Sequence, residues 1–164
     1  MAGDTSTARD IPGDGRDETP IERADRNWDD ILQELRVTLT GTQVITGFLL
    51  ALAFQQRFAD LTTPQVDLYL LLVALAALST ALGIAPVILH RTFFRHPAKD
   101  HVVILGNRLL LAELIVVGLL AIGVTGFIFD FVIGGAAGVV AASSSTLVVI
   151  ALWVVMPQVR KATA

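Results

Sequence analysis

Cysteine is absent from this 164-residue chain, which excludes disulfides, thiol catalysis and cysteine-ligated metals. Charge is scarce as well. Only 16% of the residues are Asp, Glu, Lys or Arg, against about a quarter in an ordinary soluble domain. What charge there is keeps to the ends: ten of the fifteen acids fall in residues 1–36, and between Leu109 and Phe129 the one acid is Glu113. The chain has no Gly-rich phosphate loop, no HExxH and no nucleophile elbow. No catalytic residue and no cofactor is indicated, and an enzyme is not expected. Met1-Ala2-Gly3-Asp4 begins no basic-then-apolar leader, so the first apolar run is expected to remain as an uncleaved span.

Hydrophobic residues make up 54% of the chain, and they are gathered into four runs of membrane-crossing length. These predict an all-α fold, a four-helix transmembrane bundle over residues 37–156, with spans at about 37–54, 68–89, 102–129 and 131–156. A soluble chain this short has no interior large enough for four such runs. Residues 1–26 are polar and predict a disordered cytoplasmic tail. In residues 27–36 (NWDDILQELR), Trp28, Ile31, Leu32 and Leu35 repeat on one helical face. That pattern predicts a short interfacial amphipathic helix, capped by Asn27, with Trp28 at headgroup depth. Pro86 is expected to kink or end the second span, Asp130 to mark the tight turn between spans 3 and 4, and residues 157–164 to form a cytoplasmic tail.

Eleven of the twelve Lys and Arg residues fall in the N-terminal segment, the connection over residues 90–101, the start of span 3 and the C-terminus; Arg57 is the exception. The positive-inside rule then places both termini in the cytoplasm of a bacterial cell, with the spans in its inner membrane. In the 90–101 connection, Arg91, Arg95 and Lys99 suit anionic lipid headgroups. His90, His96 and His101 lack the spacing of a compact metal site. The loop is also too short, and too close to lipid, to suggest nucleic acid.

Glu113 is the sharpest candidate for chemistry. It lies five residues past Arg108, inside a span, where ionised acids are expensive and face the bundle interior. Gln43 and Thr40 sit at a comparable depth on span 1. A polar cluster of Glu113, Gln43, Thr40, Arg108 and Arg36 is therefore expected near the cytoplasmic third. It reads either as a proton or cation site or as an interhelical pin. Gly134 and Gly138, continued by Ala142, form a small-residue ridge suited to close helix approach, within the bundle or in a homo-oligomer. Gly118, Gly123 and Gly126 offer a matching surface.

The strings Glu34-Leu35-Arg36-Val37, Thr40-Gly41-x-Gln43, Phe48-Leu49-Leu50, Phe54, Arg57-Phe58-x-x-Leu61, Tyr69-Leu70, Ala85-Pro86, His90-Arg91-x-x-Phe94-Arg95 and Asn107-Arg108 together resemble a family of small four-helix membrane proteins of unknown function, common in actinobacteria. The resemblance covers about residues 34–130. It implies a bacterial inner-membrane location and four spans, with Glu34, Arg36, Gln43, Arg57, His90 and Arg91 in the family's pattern, and it supplies no activity. The expected function is a non-enzymatic structural or accessory membrane factor whose partners are membrane lipids and an unidentified protein. The alternative is a proton or cation transporter or channel subunit using Glu113 and Gln43.

Overall fold

A computed structural model describes residues 19–93 and 99–163. Along the chain run α1 (Pro20–Leu52), a 3-10 turn (Gln56–Asp60), α2 (Thr63–Phe93), α3 (Lys99–Val132), α4 (Gly135–Ile150), a π-helical segment (Ala151–Val155) and α5 (Met156–Thr163). No strand occurs among the described residues. Four stretches are long and apolar enough to cross a membrane: Glu22–Leu52, Thr63–Leu89, Val102–Val132 and Gly135–Val159.

The first helix starts earlier than the amphipathic pattern suggests. Thr19 is its N-cap, Pro20 takes the first helical position, and Thr19 and Glu22 close a capping box. The Glu22 backbone N–H donates to Thr19 Oγ1, while the Thr19 N–H and hydroxyl donate to Glu22 Oε2, both at 2.8 Å. Residues 20–26, expected in the disordered tail, are therefore helical; residues 1–18 of that tail lie outside the described residues. Nor is there a separate interfacial helix. Nothing between Arg36 and Val37 breaks the chain, and α1 runs straight into the span. The apolar face is as read, but its partner is protein. Ile31 and Leu35 pack with Leu110 of α3, and Trp28 is 5% exposed, so close to α3 that a methyl built on Gly106 falls 2.6 Å from its ring.

Three helices share a period of seven. The buried positions of α1 include Trp28, Leu35, Thr42 and Leu49. Those of α2 are Tyr69, Leu72, Ala76, Ser79, Gly83 and Pro86, and those of α3 include Gly106, Glu113, Leu120 and Phe127. A 3.5-residue average repeat keeps such stripes facing one another along helices that cross at a shallow left-handed angle. The antiparallel α2–α3 register follows from successive pairs: Tyr69 with Phe127, Leu72 with Gly123, Ser79 with Glu113. Pro86 lies inside α2 without ending it. It is buried in the stripe, and the helix continues to Phe93.

The fourth span is laid on α3. Asp130 does not make the turn; it belongs to the last turns of α3, and the reversal falls at Gly134. There φ is +129°, a conformation that suits glycine, and the Gly134 N–H donates to Phe129 O. The helices then approach closely through Gly126 and Gly138: a methyl on Gly126 would meet Ala142 Cβ at 3.0 Å, and one on Gly138 would meet Asp130 Cβ at 2.6 Å. Gly118 is covered by Trp153 and Val149, whereas Gly123 faces Leu72 of α2. The C-terminal residues continue as helix to Thr163. Pro157 has no N–H and its ring crowds the turn before it, and the wider π-helical turn ahead of it gives that ring room.

Candidate intramembrane polar site

Glu113 is the polar member of the α3 stripe and Ser79 that of the α2 stripe. Both side chains are 0% exposed. Ser79 Oγ donates to Glu113 Oε1 at 2.6 Å, and the other carboxyl oxygen, Oε2, is buried with no hydrogen-bond partner. The pair separates two apolar clusters. On one side lie Ile31, Leu35 and Leu110; on the other lie Leu49, Tyr69, Leu72, Ala76, Leu120 and Phe127.

The other residues expected beside Glu113 lie elsewhere. The Thr40 hydroxyl donates to the Arg36 carbonyl at 2.8 Å and its side chain is exposed. Thr38, Thr42 and Thr46 bond back along α1 in the same way, the local pattern open to threonine in a helix. Gln43 is exposed on the outer side of α1, and Arg36 and Arg108 are exposed as well. None of the four bonds to Glu113. Comparable depth does not settle facing: with 100° per residue, Gln43 and Thr42 point to different sides of α1. Ser79 was missed for the same reason. Its signal is the seven-residue spacing Leu72, Ser79, Pro86, legible only when α2 is read as a packed heptad and not as a lipid-facing run.

Of the lipid-contact candidates, Arg91 is exposed near the end of α2. Arg95, and the side chain of Lys99, lie outside the described residues. Among the described residues no group of three His, Asp or Glu is placed to hold a metal ion.

A second polar arrangement ties the opposite end of the bundle. Gln65 Nε2 donates to Asp130 Oδ2 at 3.0 Å, and the Tyr69 hydroxyl donates to Leu49 O at 3.1 Å. Arg57 lies 4.7 Å from the centre of the Phe131 ring, and Phe58 meets Tyr69 edge-on at 5.0 Å. These contacts fix the 3-10 connection against α2 and α3.

Four membrane-length apolar helices around a heptad-packed interior are the build of a multi-pass membrane protein. The chain belongs to the family of unknown function DUF6328, whose pattern matches residues 17–157. The resemblance to a family without a known activity is thereby met. No curated protein and no solved structure matches the chain.

Proposed function

We propose that this is an inner-membrane protein with both termini in the cytoplasm, acting without catalysis as a structural or accessory factor bound to another membrane protein. The observation that carries this reading is Gln43. Its amide is exposed on the outer side of α1, seven residues or about 10 Å along the helix from Arg36. An amide at that depth is costly in hydrocarbon unless another helix or a water bonds it. Thr40, Gly47 and Ala51 are exposed on the same side, small residues that allow close helix approach beside the exposed Val44 and Phe48. The arginines and lysines support the orientation, because among the described ones Arg57 alone sits at the other end of the bundle.

A photo-crosslinking residue at Gln43, in native membranes, is the test. A discrete protein adduct is expected there, whereas the same residue at Leu119, exposed on α3, captures lipid alone. Lipid adducts at both positions would overturn the reading.

The second reading, transport of protons or cations, draws its support from Glu113 within the bundle. It does not draw on Gln43, which faces outward. Proton flux into liposomes carrying a pH-sensitive dye, lost in Glu113→Gln, is the result that reading requires.

A further inference from the structure

Among the described residues the Glu113–Ser79 bond is the one buried side-chain-to-side-chain bond between helices; the other buried interhelical bond, Tyr69 to Leu49 O, ends on a backbone carbonyl. The threonine hydroxyls bond their own helix. The Gln65–Asp130 bond is only partly buried, at the end of the bundle. Here a titratable group is sealed between two helices with half of its hydrogen-bonding capacity unmet. We propose that Glu113 and Ser79 form a binding site for a single proton, with Ser79 Oγ–H donating to Oε1 and the bound proton carried on Oε2.

Two observations carry this. The first is charge. An ionised carboxylate accepts through both oxygens, yet Oε2 has no donor. Among the described side chains the facing segments supply no cation within the bundle: α1 has no ionisable residue from Val37 to Leu52, α2 has only Tyr69 from Leu68 to Leu89, α3 has only Glu113 from Leu109 to Phe129 and α4 has none, while Arg36 and Arg108, the cations next along α1 and α3, are exposed and make no bond to Glu113. Tyr69 is engaged with Leu49 O, near the other end of α2. A buried ionised acid without a partner is far more costly than the neutral acid.

The second is ligand count. A hard metal cation takes about six oxygens, and the pair offers one free oxygen. Ser79 is already committed as a donor, and the neighbouring stripe positions are Ala76, Gly83, Leu110 and Leu120. Gly83 is closed over by Leu39 of α1. One small, monovalent occupant fits, and that is a proton.

This site is independent of the accessory role, and its test does not need a function. Infrared difference spectra of the full chain in lipid nanodiscs, with and without carboxyl-labelled ¹³C-glutamate, distinguish a protonated acid from a carboxylate. At neutral pH one isotope-shifted acid C=O band is expected, because Glu22 and Glu34 are exposed and Glu18 precedes α1. The band disappears in Glu113→Gln. In Ser79→Ala, which removes a single hydroxyl, it persists and moves to higher frequency. Absence of any isotope-shifted acid band in the wild-type chain overturns the proposal. A band that sodium titrates away also overturns it, in favour of a metal-cation site.

Discussion

At residue scale, a small change has opposite consequences depending on which face it occupies. Gly138 is pressed against Asp130 and Gly126 of α3, whereas an added methyl at Gly41 meets nothing within 4 Å. Gly138→Val should therefore destabilise the α3–α4 pairing by about 1–3 kcal/mol, the usual range for overpacking. Gly41→Ala should be neutral or stabilising by about 0.5–1 kcal/mol, because glycine in a helix interior is costly. Denaturation of the two variants in mixed micelles, followed by helical circular dichroism, compares them directly. At the polar pair, Ser79→Ala is expected to cost about 1 kcal/mol, the scale of an interhelical hydrogen bond in a membrane protein. The same titration reads that change. The sequence made Glu113 visible through its rarity. Ser79 stayed hidden because a serine in a span is cheap, and its meaning lies in what it faces.

At element scale, the start of α1 is set by a sequence signature, Thr19-Pro20-Ile21-Glu22, that the polar composition around it concealed. Hydrogen bonds from the Thr19 backbone N–H, and then from its hydroxyl, hold the Glu22 carboxyl below its ordinary value. A lowered folded-state value means that the cap's contribution is present above the unfolded value and is lost as pH falls through the folded one. The ¹³Cα shifts of residues 20–26 should accordingly be helical at neutral pH and move toward coil in acid. Thr19→Ala should weaken them at neutral pH and flatten that acid transition. The Trp28, Ile31, Leu35 face was legible from spacing alone, but what covers it was not. An apolar face reads the same whether it meets headgroups or α3, and only the extension of α3 back to Lys99 decides between them. The turn after span 3 has a similar lesson. A charged residue between two apolar runs looks like a turn, yet Gly134 supplies the positive φ and Asp130 is turned toward Gln65.

At the scale of the whole molecule, the number and antiparallel sequence of spans were legible because hydrophobic length is what the bilayer selects, whereas the first span's extent was not. The internal arrangement was not. Helices in lipid are sorted by packing and polar pairing, since apolar side chains are equally comfortable against lipid tails. The heptad stripes on α1, α2 and α3 are that sorting, and α4 is set apart by having only Gly138 buried among its residues. Orientation gives a further prediction. Because the chain is naturally free of cysteine, Gln55→Cys should react with an impermeant maleimide added outside intact spheroplasts, and Arg91→Cys should react only after lysis. Labelling in the reverse order would invert the topology.

The same natural lack of cysteine allows the central claim, that the α2 and α3 stripes set Ser79 against Glu113 inside the bundle, to be tested in native membranes. Two double-cysteine chains, Ser79→Cys with Glu113→Cys and Gln43→Cys with Glu113→Cys, are treated with a short bifunctional methanethiosulfonate. A factor Xa site placed in the 94–98 connection then separates α2 from α3. The account predicts that the first chain stays joined after cleavage and the second falls apart. Joining through Gln43 without joining through Ser79 would contradict it.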